Sequence, residues 1–441
     1  MLAARHALLA AIAILAPATL ASPALAAPAG MTPAGTVPAG ITVPAPPEQL
    51  TQIRADEMTS LDQINVPAAW RVTKGKGVLV AVLDTGVDPM APDLTGQVIV
   101  GPDYLQGLDP AGYQPPLEHG TYIASLIAGH GRGPGDAMGI IGVAPQARIL
   151  SVRVIPDDSE PGLGAYNDKP RYANAITIAD GISYAVKHGA RVINMSLGSQ
   201  QPTGPLRAAI ASAISHRVVV VASAGNSGTS GAFAPYEYPA SFTGVIAVAA
   251  LNPDNARAPF SEQNSSVVIS APGVDVVGAG PDDEYINADG TSPAAAFVSG
   301  VAALILSEYP ALSPALVEQA IITSASDQPA GGYSVDVGFG EVDAAAAVKA
   351  AAALAIASAG AAHPRGVTLA SPGAPLARSP APIVVTHRDR ALIMAWVVVS
   401  IAAVLLAALA LVALIVFLRR PRPRLPGREM ASMPPGGDLI G

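Results

Sequence analysis

The chain has 441 residues, 33 acidic and 25 basic, for a formal charge of −8 at neutral pH, and it contains no cysteine. The acidic balance excludes the electrostatic footprint of a nucleic-acid-binding protein. The missing cysteines exclude a disulfide-stapled scaffold, so the fold must be held by its own core, which a domain of about 300 residues can supply.

Residues 1–26 read as a secretory signal peptide: Arg5 and His6 precede an apolar run over 7–15, and Ala24-Leu25-Ala26 offers a small-residue cleavage site. Residues 27–60 form a Pro-rich N-terminal extension, and the stretch to 47 lacks any apolar period, which predicts an extended arm. Short β-branched runs follow at 78–83, 149–155, 192–195, 218–222 and 245–250. They are nearly continuous, as strands buried on both faces of a parallel sheet are. Helical spacing separates several of them: Ile176, Ala179, Ile182 and Val186 in one stretch, Leu206, Ala209, Ile210 and Ala213 in another. This alternation over 61–357 predicts a three-layer α/β domain with a mostly parallel central sheet. In such sheets the functional site lies at the carboxyl ends of the strands.

Beyond the domain, residues 358–390 are rich in Pro and Ala and read as a stalk. No charge occurs over 391–418, a segment long enough for a transmembrane helix of about 20 residues. Arg419, Arg420, Arg422, Arg424 and Arg428 follow within the tail 419–441. Their position places the tail in the cytoplasm and the domain outside a cell membrane crossed once. The signal peptide requires the same orientation.

Three segments carry candidate chemistry. The run over 80–83 leads directly into Asp84-Thr85-Gly86, where the acid is either a turn former or one end of a charge pair. Glu118-His119-Gly120-Thr121 opens a predicted helix, and of the seven histidines only His119 begins a helix directly after a loop. Gly290-Thr291-Ser292-Pro293 opens a strongly apolar helix. Ser292 there is either a helix cap or a nucleophile whose developing charge the helix N-terminus stabilises.

The order Asp84, His119, Ser292 with these flanks resembles the subtilisin family, over roughly residues 61–350. The resemblance implies a serine endopeptidase acting on polypeptides through that catalytic triad, without a cofactor. Ala224-Gly225-Asn226 resembles the segment that supplies the oxyanion-hole amide, which implies that role for Asn226. Asn194-Met195-Ser196-Leu197-Gly198 resembles the family's substrate-binding edge strand, implying peptide contacts at Ser196, Leu197 and Gly198. No acidic loop forms a convincing metal site. Three positions depart from the family pattern: Tyr122, Pro293 directly after the serine, and Ala296.

The short extension, the Pro-rich stalk and the single apolar segment resemble the mycosins, membrane-anchored subtilisin-like proteases of actinobacterial type VII secretion systems. That likeness implies partners among the subunits of a secretion membrane complex. It also leaves two alternatives: a chiefly architectural subunit with secondary peptidase activity, or a cell-surface subtilase without a secretion partner.

Overall fold

Side chains alternate across a β-strand, and that alternation sorts the core into two halves. Seven strands, β1 (Leu79–Asp84), β2 (Val98–Asp103), β3 (Arg148–Arg153), β4 (Val192–Met195), β5 (Val219–Ser223), β6 (Val245–Leu251) and β7 (Ile269–Pro272), form one parallel sheet in the order β2-β3-β1-β4-β5-β6-β7. Val80, Val82, Val192, Val219 and Ile246 face one side of it, and Ala81, Leu83, Ile193, Val220 and Val245 face the other. The computed structural model describes residues 46–169, 171–228 and 235–362. All of these fall in the unit Met1–Pro364, and the second unit, Arg365–Gly441, lies outside the described residues. So do the signal peptide and the apolar segment 391–418.

The helices are α1 (Pro47–Gln63), α2 (Val66–Ala69), α3 (Glu118–Ala128), α4 (Leu163–Asp168), α5 (Arg171–Lys187), α6 (Gly204–Ser215), α7 (Thr291–Glu308), α8 (Pro314–Thr323) and α9 (Ala344–Ala362). Helices α3, α7, α8 and α9 cover the first face; α5 and α6 cover the second. The three-layer α/β architecture with a parallel sheet is the one expected from the alternating pattern. Helix α7 is long and apolar enough to cross a membrane, but 83 % of it is buried inside the protein. It is the central helix of the core. Ala294, Ala295 and Ala296 are fully buried on it, and Gly300 sits where a Cβ would lie 2.4 Å from Val143.

The five expected strands are present. Two sheet strands, β2 and β7, and the antiparallel hairpin of β8 (Val276–Ala279) and β9 (Tyr285–Ala288) lie outside those runs. Strand β2 is an edge strand with Val100 64 % exposed. A half-solvated strand of this kind does not give a continuous apolar run.

Helix α1 occupies the end of the N-terminal extension. Its buried face is narrow, made by Leu50, Ile53, Glu57, Ser60 and Leu61, which explains why no helical period stands out in the sequence. Polar contacts dock it. Arg54 donates to the carbonyls of Gly139 (2.8 Å), Asp136 (3.1 Å) and Met138 (3.1 Å). Glu57 Oε2 accepts from the Ile141 N–H at 2.8 Å and lies 3.5 Å from Arg54 Nε.

Burial pushes the Glu57 carboxyl up to about 8 from an ordinary 4.5, with the Ile141 bond and Arg54 pulling it back and Asp93 adding to the rise. The folded protein therefore holds this proton over a range in which the unfolded chain has released it. Stability falls as pH rises from about 4.5 to about 8. Glu57→Gln removes the titration, so its melting temperature declines less than that of the wild type between pH 5 and 8. Parallel melting curves across that range check this; coincident slopes refute it.

Candidate active site

Strand β1 carries its apolar residues into the sheet and ends on Asp84, whose side chain is fully buried. Asp84 Oδ1 accepts from the Thr85 N–H at 2.8 Å and bonds His119 Nδ1 at 2.6 Å. The His119 side chain remains 20 % exposed. Burial lowers the pKa of this imidazole, but Asp84, by charge and by hydrogen bond, raises it, and Asp157 and Asp158 add to the rise. The net shift is upward.

The helix that carries His119 starts against the turn after β1. The Gly120 N–H donates to Thr85 Oγ1 at 3.0 Å, and the Asp88 N–H donates to Thr121 Oγ1 at 2.8 Å. Gly120 is required by close approach: a Cβ there would stand 2.0 Å from the Gly86 carbonyl oxygen. Gly120→Ala has to push α3 away from the 84–86 turn and lengthen the Asp84–His119 bond. We expect a loss of about 10²-fold in turnover, the scale of a misplacement near 1 Å, together with about 1–3 kcal/mol of stability. Activity and denaturant midpoints measured on the same preparation test both halves.

Ser292 is the second residue of α7 and is half-buried. Its Oγ donates to the Ser196 carbonyl at a long 3.5 Å, while Ser196 Oγ donates to the Ser292 carbonyl and to Asn194 Oδ1, both at 3.2 Å. Among the described residues no hydrogen bond joins Ser292 to His119. The two lie on α3 and α7, which pack against each other in the core.

Asn226 is tied to the same helix end. Its Oδ1 accepts from the Thr291 N–H at 2.9 Å and from Thr291 Oγ1 at 2.8 Å, and the Gly225 N–H donates back to Thr291 Oγ1 at 3.2 Å. Because the Thr291 N–H can only donate, the atom facing it must be the amide oxygen. That fixes Nδ2 on the other side, toward Gly290, where a Cβ would lie 3.5 Å from it. Nothing in the sequence order points to Thr291 as the residue that orients Asn226.

The segment after β4 runs alongside. Ser196 is buried, Leu197 partly buried and Gly198 exposed. Ser199 and Tyr238 exchange backbone bonds of 2.9 and 2.8 Å just beyond. Leu197 and Gly198 have no backbone hydrogen-bond partner among the described residues. The structure thus forms two groups, Asp84 with His119, and Ser292 with Ser196, Thr291 and Asn226. Among the described residues, no cluster of three or more His, Asp or Glu is placed to hold a metal ion.

The model of the subtilase family matches residues 75–340. A thermophilic serine proteinase of Bacillus sp. (strain AK1) is 41 % identical over 242 residues, 54 % of this chain and 55 % of that protein. The chain therefore spans about half the length of this relative. Among solved structures, the MycP3 protease from the type VII (ESX-3) secretion system is similar at a TM-score of 0.53 and 31 % identity, covering 66 % of this chain and 87 % of that one. MycP1 from Mycobacterium smegmatis is similar at 0.57 and 26 %, covering 72 % and 88 %.

Proposed function

Because the chain belongs to the subtilase family, we propose that it is a serine endopeptidase using Asp84, His119 and Ser292, held outside a membrane by the segment 391–418. The observation that carries this reading is the 2.6 Å bond between buried Asp84 and His119. Ser292 stands in the first turn of α7, and the Asn226 amide is bonded to Thr291 at the start of that helix.

In the proposed reaction Ser292 Oγ attacks the peptide carbonyl and its proton passes to His119. The C–N bond then breaks as His119 returns that proton to the leaving amine. Water repeats the sequence on the acyl-enzyme and releases the acid product. Asp84 holds the Nδ1–H tautomer and stabilises the imidazolium. The tetrahedral oxyanion is received by Asn226 Nδ2 and the Ser292 N–H. A substrate strand adds along Ser196, Leu197 and Gly198.

Similarity to proteases of type VII secretion supports a mycosin role, processing secreted polypeptides and stabilising a secretion complex. The membrane reading is supported by the uncharged run 391–418 and the arginines that follow it. Labelling of the full chain with a serine-directed fluorophosphonate tests the chemistry: wild type is labelled and Ser292→Ala is not. Secretion in cells carrying Ser292→Ala separates processing from architecture. Secretion that persists without cleavage assigns the chain a structural role of its own; secretion that stops in a normally assembled complex ties transport to catalysis.

A further inference from the structure

Helix α3 begins without a cap of its own. The residue before it, Leu117, has a left-handed backbone (φ 58°) and a side chain that cannot accept a hydrogen bond, so the first N–H groups of the helix need acceptors from elsewhere. They find them 38 residues along the chain. Asp157, in the loop after β3, accepts from the His119 N–H through Oδ1 at 3.2 Å and from the Glu118 N–H through Oδ2 at 3.3 Å. Asp157 is only 6 % exposed.

A second set of bonds aims this carboxylate. The Asp157 N–H donates to Glu160 Oε1 at 2.9 Å, and Glu160 Oε2 pairs with Arg153 Nη2. Arg153 ends β3 directly opposite Asp84 in the strand register. Its Nη1 bonds both oxygens of Asp103 at 2.9 and 3.1 Å, and its Nη2 lies 3.5 Å from Asp109 Oδ2. Asp109 Oδ1 in turn accepts from the Gly162 N–H at 2.8 Å. One buried arginine thus gathers carboxylates from two loops, and through Glu160 it fixes the fork that grips the histidine helix.

Resting on the peptidase reading above, we propose that Asp157 is a positioning residue for His119, clamping the start of its helix and placing a second negative charge beside the Asp84–His119 pair. The groups that face it are His119, Glu118 and Asp84 from the site, Asp158 and Glu160 from its own loop, and Tyr113 from the 106–117 loop. The clamp works as an anion at a helix N-terminus, where the free N–H groups and the dipole both favour negative charge.

Burial pushes the Asp157 carboxyl up to about 6, the two N–H bonds and His119 opposing the rise and Asp84 adding to it. Acid therefore removes the clamp by protonating Asp157, and a second proton, on His119, removes the base. Two protons shut the site off.

The test is the pH dependence of kcat/KM in the full chain, for wild type, Asp157→Asn and Asp157→Ala. In wild type the acid limb of log kcat/KM steepens toward a slope of two. Asp157→Asn keeps an oxygen acceptor for the helix but has neither charge nor proton to gain. Its limb falls to a slope of one and moves to lower pH, because a nearby anion no longer favours the imidazolium. Asp157→Ala also lowers kcat at pH 8 by about tenfold through loss of alignment, with KM little changed.

The titration of the His119 ring, followed by NMR in histidine-labelled protein, reads the same charge without requiring turnover. Its midpoint drops in Asp157→Asn. An unchanged midpoint, or an acid limb identical to wild type in slope and position, overturns the proposal. Hydrolysis that survives in Ser292→Ala overturns instead the peptidase reading on which it rests.

Discussion

Replacing Ser292 by alanine lowers kcat for peptide hydrolysis by about 10⁶, the size of loss known for removal of the nucleophile in subtilisin itself, and leaves KM within about threefold. The reason for expecting so clean a result is local. Ser292 Oγ makes one long bond, 3.5 Å to the Ser196 carbonyl, and its side chain caps nothing in α7. Deleting it removes the attacking atom and almost nothing that holds the fold, so stability changes by no more than about 0.5 kcal/mol. A His119→Ala, Ser292→Ala double variant then loses no more than either single variant, because the two groups act in one step. Progress curves with a quenched peptide, alongside thermal melts of each variant, provide the measurement. A loss smaller than about tenfold would place the nucleophile elsewhere and sink the assignment.

Which parts of this site could be read from the sequence follows from how far apart the interacting residues lie. Asp84 ends a continuous apolar run, and His119 and Ser292 each open a helix after a loop; a local pattern marks all three. The sheet was legible in its centre for the same reason, since β1, β4, β5 and β6 are buried on both faces. Strand β2 was not, because its partly exposed residues break the apolar run. Helix α1 was not either, because Arg54 and Glu57 dock it through backbone groups more than 80 residues away. The same holds for the residues that tune the site. Thr291 meets Asn226 across 65 positions and Asp157 meets His119 across 38, and no periodicity links such pairs. The one local hint was Arg153, a charge at the end of a buried strand. An ion held there must have partners, and the only acids near it in sequence are Asp157, Asp158 and Glu160.

The orientation of Asn226 leads to the second large effect. Both bonds from Thr291 go to the amide oxygen, so the Nδ2–H groups are left to face Gly290 and the amino end of α7. An amide held this way costs no reorganisation when the oxyanion forms, and its benefit is realised in the transition state rather than in the bound substrate. Asn226→Ala should therefore lower kcat by about 10²–10³, or about 2.7–4 kcal/mol, a magnitude that comes from the corresponding donor of a subtilisin. KM should stay near the wild-type value. Thr291→Val separates donor from orientation. It removes the hydroxyl that bonds Asn226 Oδ1 and accepts from the Gly225 N–H, but keeps the Thr291 N–H bond. The amide is still present but loosely aimed, and the expected loss is about fivefold, in line with one hydrogen bond of about 1 kcal/mol. If Asn226→Ala instead raises KM and spares kcat, the amide binds ground-state substrate, and the oxyanion must be held by the Ser292 N–H with some other donor.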